Sequence, residues 1–182
     1  LHPSPPLQTP QPDPMNIQIR PETPADITAI DAVTVAAFAN AEHSSHTEQF
    51  IVAALRRSGQ LTVSLVAEQS GAIVGHVAIS PVTIADADID WYGLGPVSVV
   101  PPLQNRGIGT QLIEEALNQL RALGAAGCVV LGEPAYYARF GFEATAALTL
   151  PGVPAEYFQA LSSGTDAPQG TVAYHASFSA TE

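Results

Sequence analysis

A chain of 182 residues with 46% hydrophobic content has enough apolar material for one sizeable core. Its net charge of −11, with six basic residues against seventeen acidic ones and no lysine, excludes the basic face that nucleic-acid binding requires. One cysteine, Cys128, excludes an internal disulfide framework, and no apolar run approaches the about eighteen residues of a membrane span.

Leu1 to Pro14 is rich in Pro, Gln and Ser and lacks the apolar stretch of a signal peptide. It reads as a disordered leader or an extension ahead of a natural start at Met15, and residues 15–182 are expected to form one cytoplasmic domain. Asn16 to Arg20 alternates as a short strand. Thr23-Pro24-Ala25-Asp26 then supplies an N-cap, a proline at the first helical position and an acidic third position. Ile27, Ile30, Thr34, Ala37 and Phe38 follow at helical spacing, predicting a helix to about Asn40. A second helix is predicted from His46 or Thr47 to Ser58-Gly59, with Phe50, Ile51, Ala54 and Leu55 on one face.

Leu61, Val63, Leu65 and Ala67 alternate along a strand, Gln69-Ser70-Gly71 turns, and Ala72 to Ser80 returns. Asp86 to Asp90 reads as an acidic turn before a longer strand from Ile89 to Val100. Asp86, Asp88 and Asp90 lack the spacing of a calcium loop, and no metal site is expected. Pro96 cannot donate to a ladder, so a bulge or splay is expected there. The helix that follows buries Ile108, Leu112, Ile113, Ala116, Leu120 and Leu123 and ends at Gly124. Gly127 to Leu131 is a wholly apolar run, the pattern of a strand covered on both faces, and Cys128 within it reads as a buried thiol. A short helix from Pro134 to Arg139 leads into a strand from Phe142. Tyr157 to Leu161 and Thr171 to His175 read as two strands, or one helix and one strand, the second suited to a closing edge.

Between the long strand and its helix lies Gln104-Asn105-Arg106-Gly107-Ile108-Gly109. A strand that turns through glycines into a helix start leaves amide N–H groups without intrahelical acceptors, beside the positive end of the helix dipole. That combination binds phosphate. A P-loop is excluded by the missing lysine, and the spacing does not match the Rossmann fingerprint. The amides from Asn105 to Thr110 form the cradle, the Thr110 hydroxyl can add to it, and Arg106 is placed to contact phosphate.

The motif Gln104-x-x-Gly107-x-Gly109 resembles the acetyl-CoA pyrophosphate motif of the GNAT superfamily of N-acetyltransferases. The segment Tyr137-Ala138-Arg139-Phe140-Gly141-Phe142 resembles that superfamily's stretch after its fifth strand, where a tyrosine precedes a Gly-Phe pair by four positions. The likeness spans roughly Ile17 to Phe142, and Trp91-Tyr92-Gly93-Leu94-Gly95-Pro96 is most similar to a bacterial YhbS-like subgroup. The resemblance implies an α/β (α+β) GNAT fold: a central mixed, twisted sheet of about six or seven strands, helices on both faces, and splayed fourth and fifth strands.

It also implies chemistry. Acetyl-CoA is the implied co-substrate, its arm held by the main chain of Val97, Ser98 and Val99, its pyrophosphate by Gln104, Asn105, Arg106, Gly107, Ile108, Gly109 and Thr110, with Arg139 and Phe140 toward its adenine end. Tyr137 is the expected general acid for the departing thiolate, and Tyr136 the packed aromatic beside it. The superfamily's glutamate base falls on Gly93, so that role does not carry over; Glu133 is the first candidate, with Asp90 and His76 behind it. His43 and His46 flank the second helix, where acceptor pockets are shaped. The expected activity is acetyl transfer to a primary amine, on a small molecule or a protein, by direct attack in a ternary complex of a monomer or homodimer. The alternative is a non-catalytic acyl-CoA sensor or interaction module; a nucleotide binder using the glycine turn alone is poorly served without lysine.

Overall fold

The computed structural model describes residues 16–164 and 167–182. The proline-rich leader and the proposed start at Met15 lie outside the described residues. In chain order the elements are β1 (Ile17–Pro21), α1 (Ile27–Phe38), α2 (Glu48–Arg57), β2 (Val63–Gln69), β3 (Ala72–Ile84), β4 (Ala87–Val99), α3 (Ile108–Ala122), β5 (Gly127–Leu131), α4 (Pro134–Tyr137), β6 (Glu143–Ala144), β7 (Leu148–Thr149), β8 (Phe158–Ser162) and β9 (Gly170–Tyr174). No helix among the described residues is long and apolar enough to cross a membrane.

The sheet runs β1-β2-β3-β4-β5-β8-β6, with β9 joined to the far end of β3 and carrying β7. Pairing along that path is antiparallel except between β4 and β5. This is the mixed α+β sheet expected. Helix α3 covers one face: Leu112, Ile113, Ala116 and Leu120 pack on Leu65, Val77, Ile79 and Leu94. On the other face Ile30 of α1 and Val52 of α2 close over Val66. A third cluster, around Trp91, Val129, Phe158 and Val172, holds the C-terminal strands.

Local chemistry explains the boundaries. Thr23 donates its backbone N–H to Asp26 (2.8 Å), half of the reciprocal box expected before α1, and Arg20 clamps the same carboxylate at 2.7 and 3.0 Å. Gly124, at φ +77°, ends α3, and Ala125 donates back to the Leu120 carbonyl. Leu123 falls at that cap and is 61% exposed, so it is not part of the core stripe assigned to it; Leu117, at 3%, takes the place.

Two strand assignments shift. The acidic segment is not a turn from Asp86 to Asp90. Only Ala85 and Asp86 turn, both at positive φ, and Ile84 pairs directly with Ala87. That is the geometry of a two-residue hairpin, into which Asp can enter without glycine. β3 also continues past Ser80 through Pro81 to Ile84. On its β2 edge the pairing ends at Ile79, and from Val82 the same edge pairs with β9. Pro81 stands at the changeover, where a missing N–H leaves no ladder bond unmade. The C-terminal third contains the two strands β8 and β9. The latter inserts against β3 rather than closing the sheet's outer edge.

Candidate active site

The expected irregularity at Pro96 is present. Val97 pairs with Val77 and Leu94 with Ile79, so Gly95 and Pro96 bulge opposite Ala78. The β4–β5 ladder runs from Trp91–Gly127 to Leu94–Val130 and stops, while β4 continues to Val99. Beyond the bulge the two strands have parted.

The direction of the exposed main-chain groups follows from the ladder. Val100 donates its N–H to the Val74 carbonyl of β3 at 2.9 Å. In an antiparallel pair alternate residues point their amide groups to the same neighbour, so Ser98 also faces β3. Val97 and Val99 therefore present theirs to the gap. One of these groups is occupied: Gln104 Nε2 donates to the Val99 carbonyl at 2.9 Å. Gln104 thus braces the turn against the strand, a contact that needs a side-chain N–H donor at that position.

The turn behaves as its glycines demand. Asn105 (φ +62°) and Gly107 (φ +86°) are left-handed, and Gly107 is the N-cap of α3. The first main-chain helical bond is Gln111 N–H to the Gly107 carbonyl at 3.1 Å. The amides of Ile108, Gly109 and Thr110 therefore have no intrahelical acceptor. Gly109 and Thr110 border a cleft of about 540 Å³ whose walls also include Val97, Val99, Gln104, Asn105 and Gly107. A Cβ built on Gly107 would meet nothing within 4 Å, so the cradle is open to a ligand rather than plugged by protein.

Helix α4 supplies the opposite wall. The Tyr136 hydroxyl lies 3.0 Å from Thr110 Oγ1, tying α4 to the first turn of α3. Arg139 donates from Nε to the Tyr136 carbonyl at 3.0 Å and lays its guanidinium 4.4 Å over the Tyr136 ring. The scarce cation is thereby held on the rim of an anion-binding cleft. Tyr136 is accordingly more than the packed aromatic expected of it; the i,i+3 relation to Arg139 on one helix turn is the one trace of this in the sequence. Ala37, Phe38 and Ala41, at the end of α1, complete the cleft and had no local signature.

The remaining expected residues are placed differently. Ser98 is 1% exposed and turned to the α1 face, and Ile108 buries its side chain under the turn at 1%. Arg106 is exposed beside the cradle but not on the cleft wall. Phe140 stacks edgewise on Tyr136 and borders a neighbouring groove with Arg139. Tyr137 rests its ring against Phe142 and over Gly132, where a Cβ would come within 2.3 Å. Burial, with a smaller contribution from Tyr136, pushes the Tyr137 hydroxyl up to about 12. Glu133 is exposed, and its carbonyl caps α4 by accepting from Tyr136 and Tyr137. Gly93 is occluded: a Cβ there would sit 2.5 Å from the Tyr174 ring of β9. His76 is fully buried, and Cys128 is a buried thiol pushed up to about 12 by desolvation. Among the described residues no group of three or more His, Cys, Asp or Glu could hold a metal.

This geometry can be set beside known proteins. Residues 60–144 match the model of the acetyltransferase (GNAT) domain. The N-acetyltransferase YhbS of Escherichia coli (strain K12), an uncharacterized protein, is 40% identical over 129 residues, 70% of this chain and 74% of its own. The crystal structure of a GNAT family acetyltransferase from Brucella melitensis in complex with acetyl-CoA superposes with a TM-score of 0.81 at 52% identity, covering 90% of this chain and 98% of that one. YhbS from Escherichia coli in complex with CoA gives a TM-score of 0.82 at 36% identity, covering 91% and 93%.

Proposed function

This chain belongs to the GNAT acetyltransferase family, and from that premise we propose that it moves an acetyl group from acetyl-CoA to a primary amine by direct attack in a ternary complex. The observation that carries this reading is the continuity of one surface: the gap-facing amides of Val97 and Val99 run directly into the free amides at the head of α3.

Acetyl-CoA supplies an activated thioester; everything else falls to the chain. The amides from Gly107 to Thr110 and the helix dipole hold the pyrophosphate, with Arg106 and Arg139 adding charge at the rim. Ile108 anchors that turn from below, and Phe140 beside Arg139 offers an aromatic edge to the adenine end. Val97 and Val99 pair with the amide-bearing arm as a short added strand, with Ser98 fixing their register on β3. A strand N–H in the gap stabilises charge developing on the thioester oxygen.

Tyr137 delivers the proton that the leaving sulfur takes. Its raised pKa keeps it protonated across the neutral range, as a proton donor must be. Glu133, exposed at the head of α4, receives the first proton of an incoming ammonium. Among the described residues no serine or cysteine lines the cleft for a covalent step.

The test is thiol release from acetyl-CoA across an amine panel, followed by mass spectrometry of the product. Tyr137→Phe is expected to lower turnover about 100-fold while acetyl-CoA affinity changes by less than about twofold. Tight acetyl-CoA binding with no amine-dependent thiol release from any member of a broad panel would replace the enzyme reading with that of a sensor.

A further inference from the structure

Four buried side-chain polar atoms have no hydrogen-bond partner among the described residues, and three of them lie in one row: His76 Nδ1, Ser98 Oγ and Ser80 Oγ. His76 stands directly opposite Ser98 in the β3–β4 ladder, and Ser80, four residues along the same strand, stands opposite Gly93. Opposite residues share a face, as do residues an even number apart, so all three side chains emerge on the same side of the sheet. That side is the α1 face, because Val66, opposite His76 on β2, packs under Ile30. The Tyr174 ring over Gly93 closes the far end of the row.

A buried polar atom left unpaired forfeits the hydrogen bonds it made to water in the unfolded chain. Three aimed into one seam are the setting in which ordered water resides, bridging groups that protein does not pair. The seam also has an outlet. His76 Nε2 lies 2.8 Å from Ser64 Oγ, and the Ser64 hydroxyl donates to Glu22. Glu22 accepts from Arg56 Nε and an Nη, both at 3.0 Å. The Glu22 and Arg56 side chains are 15% and 23% exposed, so the file reaches solvent. Its inner end is Ser98, between the two valines whose amides face the gap.

We propose that the proton given up by the attacking amine leaves along this seam, through ordered water between Ser80, Ser98 and His76 and then through Ser64 to Glu22. The inference rests on the acetyl-transfer reading above. In the step, the amine nitrogen bonds to the acetyl carbon, the carbon–sulfur bond breaks, and sulfur takes a proton from Tyr137, which regains one from solvent. The surplus proton on nitrogen passes to the seam water; His76 accepts at Nδ1 and gives one up from Nε2 through the Ser64 hydroxyl to Glu22, which releases it to solvent. His76 is suited to this because burial, outweighing Glu22, holds it down to about 4 and hence neutral; Arg56 acts in the same direction as burial. Ser64 and Glu22 are positioning residues, remote from the reacting atoms.

Ser64→Ala, Ser64→Thr and wild type would be compared in weakly buffered assays with spermidine, lysine and tyramine as amine probes, and a crystal structure at atomic resolution would be determined in parallel. Ser64→Ala is expected to lower kcat about tenfold, leave the KM for acetyl-CoA within about twofold, and recover with added imidazole buffer, while Ser64→Thr restores the rate. An unchanged kcat, or a loss that neither imidazole nor Ser64→Thr repairs, overturns the path. The crystal structure decides independently of any amine. Waters bridging Ser80, Ser98 and His76 support the path, and a dry seam overturns it even if acetyl transfer itself is found.

Discussion

Single residues divide here into those whose place was written locally and those set by distant partners. Gly107 is of the first kind: its left-handed φ and its open Cβ direction separate two effects that are usually mixed. Gly107→Ala should cost about 1 kcal/mol of stability from backbone strain alone, measurable by urea unfolding, with acetyl-CoA binding reduced only modestly. Gly107→Glu should fold comparably yet abolish binding in calorimetry, since a carboxylate would project into the space meant for phosphate. Normal binding by that variant would remove the cradle from the site. Gly93 is of the second kind. Nothing nearby in the sequence announces that Tyr174, about eighty positions later, lies on it. Gly93→Ala should destabilise by about 1–3 kcal/mol through overpacking, and Tyr174→Ala in the same chain should recover part of that loss, a coupling that a double-mutant cycle in urea would read. The same limit hid the division of labour between Tyr136 and Tyr137. Spacing before Gly141 selects Tyr137, but the Tyr136 contact to Thr110 depends on how α4 docks against α3.

At the scale of elements, periodicity located α1, α2, α3 and β5 closely, because each buries a regular stripe or run. Turns whose chemistry does not depend on glycine were harder. Ala85-Asp86 folds β3 into β4 in two residues, so the acidic stretch beyond it is strand, and β3 outruns its alternating pattern because β9 lends it a second partner past Pro81. Element junctions also carry the acid sensitivity. Asp26, at the head of α1, is held well below the usual carboxylate range, first by the Arg20 hydrogen bond and then by the Thr23 backbone. A carboxylate with a depressed folded pKa stabilises above its unfolded value of about 4 and loses that contribution as pH falls further. His76 acts in a higher window. Its folded value of about 4 lies below the ordinary 6.5, so between these the unfolded chain binds the extra proton and stability falls on acidification. Urea midpoints measured from pH 7 to pH 3 should therefore decline in two stages. Asp26→Asn should flatten the lower stage and His76→Gln the upper; a decline untouched by both variants would refute the assignment.

The molecule as a whole is strongly acidic, at −11, and Arg139, just beyond α4, is the arginine on the cleft wall among the described residues. Such a field draws amines, which are cations in neutral water. At saturating acetyl-CoA, kcat/KM for spermidine should fall severalfold between about 20 and 300 mM salt, more steeply than for singly charged tyramine; equal slopes would assign no role to net charge. The fold class was legible because its two motifs flank the sheet's centre. In the C-terminal third the strands at β8 and β9 were legible as one of two alternatives, but their partners were not, since both pair with strands distant in the chain. The parted strands have one further consequence. An uncovered strand edge ordinarily invites another chain to add to it and aggregate. Here the stretch on offer is only Val97 to Val99, stopped on one side by the kink at Gly95-Pro96 and on the other by Pro101-Pro102, with Gln104 already occupying one carbonyl. So brief a berth suits a slender, amide-bearing tether and is too short to seed the stacking of one copy upon the next.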